Sequence, residues 1–216
     1  MSKNVLVILS GCGVYDGTEI HEAVIALVAL STLGAQVTCA APNKDQLHVI
    51  NHANGEEMAE PRNVMIESAR ISRGAISALS DVNARDFDAV FLPGGFGAAK
   101  NLCTFATEGS DCSIDADVLR LLKGFHEAGK PIGAVCISPA VVVRALGAVN
   151  VTIGSDAGTA AALAAMGGRH SERSVTECLV DSDNKVVTAP AYMLEAPLHE
   201  IAAGIQAAVS ETLRLA

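Results

Sequence analysis

The chain of 216 residues has no tryptophan, and aromatic residues make up only 3% of it. An aromatic-rich binding surface is therefore not on offer. Basic residues are also few, with 15 Lys and Arg against 24 Asp and Glu and a net charge of −9. They are scattered, whereas a nucleic-acid groove needs clustered cations to displace counterions, so nucleic acid is not an expected partner. No run of about 18 uncharged apolar residues marks a membrane span. Charged residues are scarce at 18% while hydrophobic ones reach 50%, and this balance excludes a disordered chain. The six cysteines contain no C-x-x-C pair, so a zinc or thioredoxin-type site is not expected and no metal is assigned. The start, Met1 to Leu9, has the look of a signal segment. Its apolar run stops within five residues at a glycine-rich turn, which favours a first strand over a targeting peptide. Reduced thiols in a cytoplasmic compartment are the expectation.

What is present is an alternation of strand and helix patterns. Asn4 to Leu9, Gln36 to Ala41, Phe87 to Leu92 and Ile132 to Val135 read as buried strands. Asn150 to Ile153 reads as a further strand. Val175 to Val180 and Lys185 to Thr188 read as a strand pair. Helices are predicted over Thr18 to Leu33, Arg62 to Arg73, Ala98 to Ala106, Ile114 to Glu127 and Pro139 to Leu146, then from Asp156 to Met166 and over Leu198 to Leu215. Leu47 to Asn51 with Asn54-Gly55 predicts a short hairpin arm. The stretch Ala23 to Leu30 is apolar throughout, which predicts a helix buried on all sides, between the sheet and a second subunit. The pattern predicts one α/β domain over residues 1–216, a mostly parallel sheet with helices on both faces. In such sheets the site lies at the carboxyl ends of the strands.

Three segments fall there. Cys136 ends a strand, and Ser138-Pro139 opens a helix directly after it, so the thiol sits in a sharp strand-to-helix turn near a helix N-terminus. That setting favours thiolate and has the form of a nucleophile elbow; the alternative is a buried structural cysteine. Pro93-Gly94-Gly95-Phe96-Gly97 follows another buried strand. Its backbone can approach a ligand, and Gly95 with the Ile137 N–H can supply an oxyanion hole if the turn faces Cys136. Glu22 opens an unbroken apolar stretch. Burial raises a carboxyl pKa, so Glu22 can be neutral and donate to the sulfur; the alternative is a first-turn acid satisfying the helix N-terminus. Glu19 suits that alternative better, spaced as the partner of an Asp16 cap. Gly94, Cys12 in the loop after the first strand, and His170 complete the candidate pocket lining. His21 is expected to face solvent or an interface.

With Ser10-Gly11-Cys12-Gly13-Val14-Tyr15-Asp16-Gly17, the run from Pro93 to Leu102, Gly129-Lys130-Pro131-Ile132 leading to Cys136, Asn51-His52 with Gly55-Glu56, and the stretch Thr188 to Met193, the chain resembles the ThiJ/PfpI superfamily over essentially its whole length. It is more closely similar to the ElbB branch, described as isoprenoid biosynthesis proteins with an amidotransferase-like domain or as glyoxalases. The resemblance implies a flavodoxin-like three-layer sandwich of the class I glutamine amidotransferase type. It also implies Cys136 as nucleophile, Glu22 at its sulfur, and Gly95 and Ile137 as oxyanion donors. Peptidase-like members carry His directly after the nucleophile, where this chain has Ile137. Amidotransferases carry a late His-x-Glu pair, where this chain has adjacent His199 and Glu200. Protease and glutaminase chemistry are thereby disfavoured.

The leading expectation is a glyoxalase that needs no cofactor, metal or glutathione. It would convert glyoxal or methylglyoxal to a 2-hydroxy acid through a Cys136 hemithioacetal, with Glu22 as acid and base and His170 as helper. The substrate partner is then a small 2-oxoaldehyde, and the protein a homodimer. Two alternatives stand beside it. One is an oxidative-stress sensor or chaperone-like protein using the same thiol. The other is a non-catalytic accessory protein in isoprenoid metabolism.

Overall fold

The computed structural model describes residues 2–216. Among the described residues there are nine strands and seven α-helices, largely interleaved along the chain. In order they are β1 (Asn4–Ile8), α1 (Ile20–Thr32), β2 (Gln36–Ala41), α2 (Val64–Ser68), β3 (Ser77–Ala78) and β4 (Ala89–Leu92). Next come α3 (Phe105–Glu108), α4 (Ala116–Glu127), β5 (Ile132–Val135), α5 (Pro139–Leu146), β6 (Asn150–Val151) and α6 (Ala157–Ala165). The chain closes with β7 (Arg169–His170), β8 (Leu179–Asp181), β9 (Val186–Ala189) and α7 (Leu198–Leu215). Seven strands form one sheet in the order β3-β2-β1-β4-β5-β9-β8, parallel except for β8 against β9. β6 and β7 make a separate two-stranded piece.

The three-layer form follows from the period of two along each strand. Val5, Val7 and Leu9 point to one face, with Phe91 and Val135, and pack under α1 and α7 through residues such as Ala26, Leu30, Ile205 and Val209. Leu6, Ile8, Val90 and Leu92 point to the other, under α4 and α5 through Leu121, Phe125, Val141 and Val142. Burying each such side chain contributes about 1.5–3 kcal/mol, so the two apolar faces hold the layers together. Both faces being covered explains why the central strands read as continuous apolar runs.

Several local expectations change. The helix expected over 62–73 closes at Ser68, whose Oγ accepts a hydrogen bond from the Gly11 N–H at 2.8 Å, and the chain turns at Arg73 with φ 57°. The helix expected over 98–106 is broken. Ala98–Leu102 is a wide π turn, and Cys103 is extended (φ −152°), pairing with Ile114 before α3 begins. α1 is not covered all round within one chain: Ile20, Val24 and Val28 are 43%, 44% and 56% exposed. The capping assignments also shift. Glu19 is itself the cap of α1, accepting from the Glu22 N–H, while Asp16 accepts from the Ile50 N–H. Ser138 does not cap α5; its Oγ donates instead to the Pro93 carbonyl at 2.7 Å.

That last bond ties the turn after β5 to the turn after β4 and is fully buried. Ser138→Ala leaves the Pro93 carbonyl without its partner, a loss of about 1–3 kcal/mol. A fall in thermal midpoint of roughly 3–8 °C is expected by calorimetry.

Candidate active site

The carboxyl ends of β1, β4 and β5 lie side by side, because β4 pairs with both β1 and β5. Their connecting segments therefore converge. Cys136 takes φ 61°, a left-handed conformation unusual for a side chain with a Cβ, and its N–H donates to the Ala189 carbonyl at 3.0 Å. Holding a residue there costs on the order of 1–3 kcal/mol and projects the thiol out of the sheet end.

Glu22, in the first turn of α1, is fully buried and reaches the same point. Its Oε2 accepts the Gly94 N–H at 2.8 Å and its Oε1 the Tyr192 N–H at 3.2 Å. A Cβ placed on Gly94 would lie 2.8 Å from Glu22 Oε2 and 2.9 Å from Cys136 Sγ. The glycine is thus what lets acid and thiol share one space. Gly95, at φ 93°, packs its backbone against Gly17 and Glu19 so closely that a Cβ would lie 2.4 Å from Gly17 O.

Electrostatics set the proton inventory. Burial, then the neighbouring Glu19 carboxylate, push the Glu22 carboxyl up to about 7, against the pull of the Tyr192 and Gly94 amides and the thiol. Burial, then Glu22, raise the Cys136 thiol well above its ordinary value, although the Gly95 and Ile137 N–H groups both pull it down. The expectation of a resting thiolate is therefore corrected. Desolvation outweighs the helix terminus and the amides. The thiol holds its proton and donates it toward Glu22.

The sulfur opens onto a cavity of about 520 Å³, whose lining includes Gly95, Phe96, Ile137, Asp156, Tyr192 and Met193. Gly94 lies behind the thiol rather than in the wall. Two expected lining residues are elsewhere. Cys12 faces Arg70 and Glu67 and is absent from the cavity wall. His170 belongs to β7, away from the wall, with its Nε2 buried and unpartnered. His21 is half exposed but engaged: its Nδ1 pairs with the Tyr192 hydroxyl at 2.7 Å. His199, at the start of α7, stands 82% exposed beside Glu200.

Tyr192, Glu19 and Asp156 are site residues that sequence reasoning missed. Ala191 turns at φ 45° after β9, and this presents the Tyr192 amide to Glu22. The available signal was position: Ala189-Pro190-Ala191 ends a fourth buried strand on the same side of the sheet. A second depression, of about 560 Å³, lies beside β2 and β3 and includes Cys39. Burial pushes that thiol up to about 11, with no charged group contributing to the shift.

A carboxyl lifted from 4.5 to about 7 favours the folded state at low pH. That contribution is complete below about 4.5 and is lost as pH rises through about 7, a change on the order of 3 kcal/mol. Glu22→Gln removes it. The variant also leaves one amide without an acceptor, a penalty that does not vary with pH. Between about pH 5 and pH 8, the thermal midpoint of the wild type is expected to fall by roughly 5–10 °C more than that of the variant. Scanning calorimetry across that range checks this.

The chain is similar to known proteins over nearly its whole length. A mitochondrial human protein named glutamine amidotransferase-like class 1 domain-containing protein 3 is 51% identical over 99% of this chain and 84% of its own. The mitochondrial ES1 protein of Danio rerio is 40% identical over 92% of this chain and 80% of its own. A crystal structure from Ehrlichia chaffeensis, titled an isoprenoid biosynthesis protein with amidotransferase-like domain, superposes with a TM-score of 0.93 at 37% identity over 99% of both chains. The cytoplasmic compartment expected from the sequence does not stand against these relatives, since those at 40–51% identity are named mitochondrial. Cysteine usage separates reducing from oxidising surroundings but not one reducing compartment from another. The DJ-1/PfpI family model matches residues 4–196, and the chain belongs to that family.

Proposed function

We propose that the protein is a glyoxalase of the ElbB branch, adding water to a 2-oxoaldehyde to give a 2-hydroxy acid without a cofactor. The observation that carries this is a buried thiol and a buried carboxyl sharing the one space that Gly94 leaves open, with the Gly95 and Ile137 amides at the sulfur. As Cys136 Sγ bonds to the aldehyde carbon, its proton passes to the Glu22 carboxylate. The amides of Gly95 and Ile137 then steady the charge that moves from sulfur to oxygen. Glu22 returns the proton to that oxygen, giving a neutral hemithioacetal. The carboxylate next removes the hydrogen from the former aldehyde carbon while the hemithioacetal hydroxyl proton moves to the neighbouring ketone oxygen. Glu22 then delivers its proton to that second carbon, producing a thioester of the 2-hydroxy acid. Water cleaves the thioester, releases the acid and restores the thiol. The thiol's buried, proton-holding state speaks against the sensor reading, because easy oxidation needs an accessible thiolate. The compartment we assign is mitochondrial, following the relatives so named.

Glu22 must be ionised to accept the thiol proton. Turnover of methylglyoxal (kcat/KM) is therefore expected to rise with pH to a plateau, with its midpoint near the Glu22 value of about 7. Glu22→Gln is expected to lower the rate by at least about a hundredfold and erase that midpoint. Cys136→Ala abolishes turnover in the same stopped assay of aldehyde loss and hydroxy-acid gain. Undiminished turnover in Cys136→Ala would remove the proposal.

We also propose a homodimer through the outer face of α1. Ile20, Val24 and Val28 follow one another at four-residue spacing, all substantially exposed, and form an apolar stripe on one helix face. A second copy of the chain covers it. Light scattering at micromolar concentration is expected to give a dimer, and Val28→Asp a monomer. A monomeric wild type would overturn this.

A further inference from the structure

The cavity in front of Cys136 is much larger than the reaction needs. A three-carbon oxoaldehyde fills a small corner of about 520 Å³, a volume in the range of sites for ligands several times that size. The space beyond the sulfur is apolar. Phe96, Phe105, Ile137 and Met193 form walls, and the small side chains of Ala99 and Ala106 leave room between them. Its one charged side chain is Asp156, a solvent-exposed carboxylate that the Thr159 donors hold below the usual range. Lys100 offers no compensating cation inside. It lies over the Phe96 ring at 5.4 Å and donates from Nζ to the Tyr15 carbonyl at 2.8 Å, so it is spoken for.

An anionic tail would find no cationic side chain in the lining, while a bare methyl group would leave most of the apolar wall in contact with water. Resting on the thiol chemistry above, we infer that the substrate is a neutral 2-oxoaldehyde bearing an aryl or branched alkyl group, which packs against Phe96 and Phe105. Its reaction is the addition of one water to give the matching 2-hydroxy acid, with no other reactant.

Phenylglyoxal is the probe. Its kcat/KM is expected to exceed that of methylglyoxal by at least about tenfold, the scale on which a hydrophobic wall discriminates, with mandelate as product. Ala106→Phe occupies the space at the exposed edge of the cavity and is expected to cut that ratio by at least about fivefold. A second measurement does not require turnover. Acetophenone, which has the aryl ketone but no aldehyde, is expected to slow alkylation of Cys136 by iodoacetamide at mildly alkaline pH, whereas acetone at equal concentration does not. Peptide mass spectrometry follows the modification. Methylglyoxal consumed as fast as phenylglyoxal, or equal protection by the two ketones, would overturn the inference while leaving the glyoxalase reading intact. Protection by acetophenone without turnover of either aldehyde would overturn the glyoxalase reading and the substrate class with it.

Discussion

The structure depends on a carboxyl and a thiol buried together. Burial raises the carboxyl to about 7 and the thiol well above its ordinary value, so near neutrality the two together hold less charge than they would apart in water. The arrangement survives because the backbone serves it. Gly94 and Tyr192 supply amides to the carboxyl, Gly95 and Ile137 supply amides to the sulfur, and the four come from segments leaving three strand ends, those of β4, β5 and β9. Order of the strands is what makes this possible. With β4 between β1 and β5, the loops that follow them meet over one spot, and β9 brings a fourth from the far side of β5.

In the proposed reaction the nucleophile is made at the moment of attack instead of being stored. A stored thiolate is exposed to every oxidant that reaches it. Here the sulfur keeps its proton until a carbon arrives, and the acceptor has a proton affinity near neutrality, where a group can both take and return a proton within one cycle. In that proposal the acid and base roles fall to a single side chain, whose two oxygens accept the Gly94 and Tyr192 amides.

Much of this was legible in the sequence, and the reasons are specific. Cys136 stood out because an apolar strand ends abruptly before Ser138-Pro139, and only a tight turn fits between them. Glu22 stood out because a charge opens an apolar run. Gly94 and Gly95 stood out because two glycines follow a buried strand. The depth of burial was not legible: a local sequence shows the turn but not what is stacked upon it, so the helix-terminus argument was given too much weight. Tyr192 contributes through its amide, which any residue other than proline could supply, so its side-chain identity carried no signal. Cys12 and His170 failed because chemical plausibility says nothing about distance. The helix expected over 98–106 failed because Cys103 pairs with Ile114, a contact between segments that local propensity cannot register.

Gly94 has a consequence for how such a scaffold diversifies. Even alanine, the smallest addition, would sit on both reacting groups. On the proposed function, the reaction is thus written in main chain, which substitution edits poorly, while selectivity is written in Phe96, Phe105, Ala106 and Met193, which it edits easily. A duplicated copy of this chain would inherit its reaction almost unaltered and would drift first in what it admits.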